Sequence, residues 1–84
     1  MTTLTKKERE YIEYFLKEQF DRAERHEQKA FVAKENNEVD KAARYKRLEH
    51  EDYGVIKGIS TVLTTIGYSY TWDDDDNIHL FKTK

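Results

Sequence analysis

Two histidines set among carboxylates are where chemistry would first be sought in this 84-residue chain. His26 stands in ERHEQ and His50 in LEHED, so Glu24, Glu27, Glu49, Glu51 and Asp52 are close by. Imidazole with carboxylate is a ligand set for a divalent transition metal. Neither E-x-x-H nor H-E-x-x-H occurs, however, so the helical di-iron and zinc-protease spacings both fail. The expectation is therefore two solvated histidines, with no metal and no cofactor. Asp73, Asp75 and Asn77 alternate as at the start of a calcium-binding EF-hand loop. Ile78 stands where that loop needs Gly, and Lys84 where it needs Glu. The run Asp73, Asp74, Asp75 and Asp76 is expected instead to be a solvated acidic tip that protects a strand edge from mispairing. Weak cation affinity and mimicry of a nucleic-acid backbone are the competing uses of it.

Cations gather elsewhere. Arg22, Arg25 and Lys29 share one side of a first helical stretch, and Arg44 and Arg47 one side of a second. They could touch phosphate. Glu18, Asp40 and Glu51 lie beside them, which favours a salt-bridged, solvated flank. No aromatic platform interleaves with these bases, and that weakens a single-strand-binding reading. The serines, Ser60 and Ser69, have no evident His/Asp partner, and no glycine-rich phosphate loop occurs. A non-enzymatic protein is the expectation.

Composition narrows the class further. Fifteen basic and seventeen acidic side chains leave a formal charge of −2, so nothing overall draws the chain to nucleic acid or anionic lipid. The chain lacks Cys, which excludes disulfides and thiolate sites and suits the cytoplasm. The opening MTTLTKKERE has no apolar core of the kind a signal peptide carries. No run approaches the roughly 18 apolar residues of a membrane span. Mixed charge and 13% aromatic residues disfavour disorder. One folded domain, 1–84, is expected.

The elements follow from spacing. Thr5 and Glu8 fit a capping box, and Ile12, Leu16, Ala23 and Ala30 recur on one face behind them, predicting a helix near 6–34. Glu13–Lys17, Glu18–Arg22 and Asp21–Arg25 are acid-before-base pairs four residues apart that support it. Asn36 and Asn37 break the pattern, with Asn37 placed to cap a second helix near 38–66. That helix carries Ala42, Tyr45, Glu49, Ile56, Ile59, Leu63 and Ile66 inward and stops at Gly67. Two long helices with a short turn form an antiparallel hairpin. Beyond Gly67 the period becomes two, predicting a β-hairpin near 68–82 with Trp72 opposite Ile78 and Tyr70 opposite Leu80. The fold class is mainly α. Ile, Val and Thr dominate 59–66, so a third strand there competes with helix.

One stretch stands apart. No Asp, Glu, Lys or Arg occurs between Gly58 and Trp72 in a chain that is 38% charged. Gly54, Gly58, Thr61 and Thr65 fall together on the side of the second helix away from the first, bordered by Val55 and Val62. Two glycines inside an exposed helix cost about 1 kcal/mol each relative to Ala. A close approach by something else would offset that. The ribbon with Tyr68, Tyr70 and Trp72 folds back over the groove, a second copy of the chain fills it, or another protein does. The aromatic ribbon beside its acidic tip also has the make-up of a recognition surface.

At YGVIKGISTVLTTIGYSYTWDDDD, residues 53–76, the chain resembles small uncharacterised helical proteins of Gram-positive bacterial phages and prophages. The likeness covers roughly 38–76 and rests on Gly54, Gly58, Gly67, Tyr68 and Trp72. It implies a cytoplasmic accessory protein that acts by binding, on itself or on a host protein. The alternative is a nucleic-acid-associated accessory that uses the basic flank.

Overall fold

The computed structural model describes residues 3–83. Lys84, the twelfth position of the rejected calcium loop, lies outside them. Helix α1 spans Lys6–Glu35 and begins at the expected capping box. The Thr5 hydroxyl accepts from the Glu8 N–H at 3.1 Å, and the Thr5 N–H donates to Glu8 Oε1 at 2.8 Å. Two otherwise orphaned amides are thereby satisfied.

The turn differs from expectation at one residue. Asn37 is not the N-cap of the second helix; it is the left-handed residue that ends the first, at φ 58°. Its N–H bonds to the Lys34 carbonyl at 3.1 Å, and the Glu38 N–H bonds to the Ala33 carbonyl at 2.8 Å. Those two bonds make a Schellman closure, which Asn tolerates after Gly. Helix α2, Val39–Thr65, then starts from Glu38 with no side-chain cap. Its only first-turn acid is Asp40.

No third strand forms over 59–66: this stretch stays in α2 to Thr65. The threonines fit because their hydroxyls bond backward along the helix. Thr61, Thr64 and Thr65 donate to the carbonyls of Lys57, Ser60 and Thr61, each at 2.9 Å. Gly67 at φ 86° ends the helix, its N–H bonded to the Thr64 carbonyl at 3.1 Å.

Strands β1, Tyr68–Trp72, and β2, Ile78–Lys82, pair antiparallel with Trp72 opposite Ile78 and Tyr70 opposite Leu80, as the alternation required. The ribbon lies across one side of the helical hairpin at its terminal end. There Leu16, Ile56, Leu63, Tyr68, Ile78 and Leu80 form the core. Three hydrogen bonds fix the ribbon in place. The Tyr68 hydroxyl accepts from the Leu4 N–H at 3.0 Å, and the Leu80 N–H donates to Glu13 Oε2 at 2.7 Å. The Lys82 ammonium donates to the Thr3 hydroxyl at 2.9 Å. Glu13 is therefore used on the ribbon and not on Lys17, which pairs with Asp21 at 3.4 Å.

The turn half has no such layer. Ala23 and Ala33 are buried there, so the two helices close on small side chains. The molecule measures 51 × 25 × 17 Å with a radius of gyration of 15.6 Å. A compact 84-residue domain would have about 12 Å. It is a long slab, layered at one end only.

Candidate interaction surface

The ribbon does not cover the glycine/threonine groove. Gly54, Gly58, Thr61 and Thr65 are all exposed, and a Cβ built on Gly54 or Gly58 would meet nothing within 4 Å. Val55 and Val62 beside them are exposed too, Val62 at 61%. The uncharged strip continues toward α1. Ile59 is a helical neighbour of both valines, and it lines a shallow hollow with Tyr11, Ile12 and Phe15. No ribbon residue lines that hollow. Ribbon and strip occupy opposite sides of the hairpin.

The aromatic candidates divide. Tyr68, expected at the interface, is a core residue with 3% exposure and its hydroxyl bonded to the chain's own N-terminal segment. Tyr70 and Trp72 meet Phe20 of α1 edge-on, with centroids at 6.1 and 5.0 Å, while their strand runs beside α2. Trp72 remains 41% exposed, and Lys17 Nζ sits 5.5 Å from its ring centroid.

The acidic tip is built around one carboxylate. Asp73 Oδ1 accepts from the N–H groups of Asp75 and Asn77, both at 2.9 Å, and Oδ2 lies 2.6 Å from His79 Nε2. The Asn77 amide and then the His79 side chain hold the Asp73 carboxyl below its ordinary value. Asp76 takes the left-handed turn position at φ 61°. Asp74, Asp75 and Asp76 are exposed.

His26 departs from expectation. It is not solvated: Nδ1 lies 2.5 Å from Asp52 Oδ2, and both side chains are largely enclosed between the helices. The carboxylate accepts, so the shared hydrogen belongs to Nδ1. Tyr45 stacks on the imidazole at 6.2 Å. His50 is exposed, as expected. Among the described residues no group of three or more His, Asp or Glu is placed to hold a metal ion.

The basic flank is less neutralised than its sequence neighbours suggest. Among the described residues, Arg22, Arg25, Lys29, Arg44 and Arg47 make no ion pair with a carboxylate within 4 Å. An aromatic ring does interleave with them. Lys29 Nζ and the Arg44 guanidinium lie 5.6 and 5.7 Å from the centroid of Tyr45.

No protein-family model, curated protein or solved structure matches the chain. Among the described residues, no helix is long and apolar enough to cross a membrane.

Sequence reasoning missed three features here. The Asp52–His26 pair joins residues 26 apart and depends on the height at which the helices meet. The Tyr11–Phe15 pair was legible as two aromatics four residues apart, off the buried stripe. Tyr45 was assigned inward, and its position between two cations follows from the neighbouring helix.

Proposed function

We propose that this chain is a non-enzymatic protein-interaction module, a cytoplasmic accessory protein of the phage type. Its recognition surface is the uncharged strip of Val55, Gly58, Ile59 and Val62 on α2, continued by Tyr11 and Phe15 on α1. One observation carries the reading: the strip stays uncovered while the one other layer among the described residues, the ribbon, is committed to the opposite side. Apolar surface rimmed by charge is a recurrent make-up of recognition sites. Trp72 with Asp74 and Asp75 forms a smaller second anchor.

Affinity capture from the source cell tests this, with Val62→Glu and Trp72→Ala as variants that keep the helical circular-dichroism signal. Val62→Glu should lose the captured protein, whether that is the chain itself or a host protein. Trp72→Ala should weaken capture. A Val62→Glu chain that captures everything the native chain does would end the proposal.

The Tyr45 arrangement favours a second reading, contact with a nucleic-acid backbone through Arg22, Arg25, Lys29, Arg44 and Arg47. Phosphate binding weakens steeply with salt, whereas burial of an apolar strip does not. Single-stranded DNA that leaves the chain free at low salt, or that binds Arg25→Ala and Arg44→Ala unchanged, would dispose of it.

A further inference from the structure

The geometry points to a second copy of this chain as the occupant of the uncharged strip, the two copies lying antiparallel across it. This inference rests on the interaction reading above and commits it to one partner.

Area supplies the first reason. A compact monomer of 10.1 kDa exposes about 5300 Å². This chain exposes 6327 Å². The excess, about 1000 Å², is close to the roughly 800 Å² that each partner contributes to a stable interface. Burying that much on each copy would restore an ordinary surface. The ribbon cannot do so, being fixed to the other side through Tyr68, Leu80 and Lys82.

Charge supplies the second reason and sets the direction. A symmetric pair stacks about a two-fold axis lying in the interface. If that axis ran along the helices, the turn half of one copy would cover the turn half of the other. Phe15, Arg22 and Lys29 recur every seven residues and so share the face of α1 that carries the hollow. Arg44 joins Lys29 there, since both flank Tyr45. That arrangement lays α1 on α2 of the partner subunit at equal height, so Lys29 would face Arg44 of the partner subunit, and like charges so placed are repelled.

An axis across the helices avoids this. It lays α1 on α1 and α2 on α2, antiparallel, and overlaps the terminal halves, leaving Lys29 and Arg44 outside the contact. With the crossing near Phe15 and between Gly58 and Ile59, Val55 stands as far before it as Val62 stands after it. Val55 therefore meets Val62 of the partner subunit. By the same count Glu8 comes level with Arg22 of the partner subunit, a cation that among the described residues makes no ion pair with a carboxylate within 4 Å. The bare backbone at Gly54 and Gly58 lets the two α2 helices approach closely.

The absence of native Cys makes single-cysteine chains clean reporters. Sedimentation equilibrium of the full chain over the micromolar range should give a species of twice 10.1 kDa. Val62→Glu should raise the dissociation constant about tenfold or more, and Arg22→Glu should raise it by less. Oxidised together, Val55→Cys and Val62→Cys chains should form mixed disulfide dimers in excess of either self-linked product. A monomer at every concentration overturns the inference, as does a dimer without the Val55–Val62 preference. If the chain is monomeric while Val62→Glu still loses a captured protein, the second copy is wrong and the interaction reading survives. If neither association nor capture responds to Val62→Glu, both fall.

Discussion

Replacing Gly54 and Gly58 by alanine should stabilise the isolated protomer, and the size of the effect can be worked from the structure. Both residues lie inside α2, well away from its ends, and neither has a positive φ. A Cβ at either position meets no atom within 4 Å, so nothing has to move. What remains is the backbone term, about 0.8–1.0 kcal/mol per Gly→Ala in a helix interior. The two methyl groups are small and exposed, so the contributions should nearly add, to about 2 kcal/mol. In a domain of this size each kcal/mol raises Tm by about 4–8 °C, so the double variant should melt about 8–16 °C higher.

The assay is thermal unfolding followed by helical circular dichroism in dilute solution, where the chain is monomeric. Repeating it at high concentration asks a second question. If glycine is there for close approach by another helix, the gain should shrink as association sets in, because the added methyl groups hold the helices apart. A double variant no more stable than the native chain in dilute solution would refute the reasoning. It would mean that these positions are already in contact with something inside the protomer.

Three further outcomes follow from particular contacts. Asp52→Ala strands the enclosed imidazole of His26 and should cost about 1–3 kcal/mol in chemical denaturation, while His26→Leu with Asp52→Leu together should cost less than that single change. The Asp73 carboxyl titrates below its ordinary value of 3.8, so its contribution is present above that pH and is lost as pH falls through the depressed folded value. Trp72 emission, one residue away, should report the tip loosening in that acid window, and Asp73→Asn should abolish the transition. Phe20→Ala removes the ring on which Tyr70 and Trp72 rest, so it should move native Trp72 emission to the red and lower stability by about 3–5 kcal/mol, less to the extent that Phe20 is only part-buried.

Much of the fold was legible because its boundaries carry unambiguous chemistry. Thr5 with Glu8 admits one reading, and Gly67 followed by Tyr-Ser-Tyr-Thr-Trp marks both a helix stop and a change of period. The register Trp72–Ile78 followed from alternation alone. Asn37 was harder, since the same side chain suits a helix N-cap and a left-handed C-terminal position; the closure onto Ala33 and Lys34 decided it. The threonine-rich stretch 59–66 looked like strand by propensity, yet inward spacing at Ile59, Leu63 and Ile66 prevailed. The candidate surface was only half legible. The exposed groove could be read from its lack of charge, but whether the ribbon would cover it depended on which side Tyr68 turned toward after Gly67. Burial of Tyr68 beside Leu16, Ile56 and Leu63 sends the ribbon away from the groove.

That choice of side has a simple quantitative cause. Helix α1, 30 residues long, runs about 45 Å. A five-residue strand reaches only about 17 Å. One short ribbon can therefore shield little more than a third of one side of the hairpin, and it shields the part with the largest side chains. At the turn half the helices use alanines and an internal His–Asp pair, which need no covering layer. The terminal half has apolar side chains on both sides and only one ribbon. Tyr11 and Val62 are left facing out, with Phe15 and Ile59 half-buried beside them, because no other described element lies over them. In a sequence with charges nearly everywhere else, leaving that surface uncharged is consistent with a covering layer supplied by another chain.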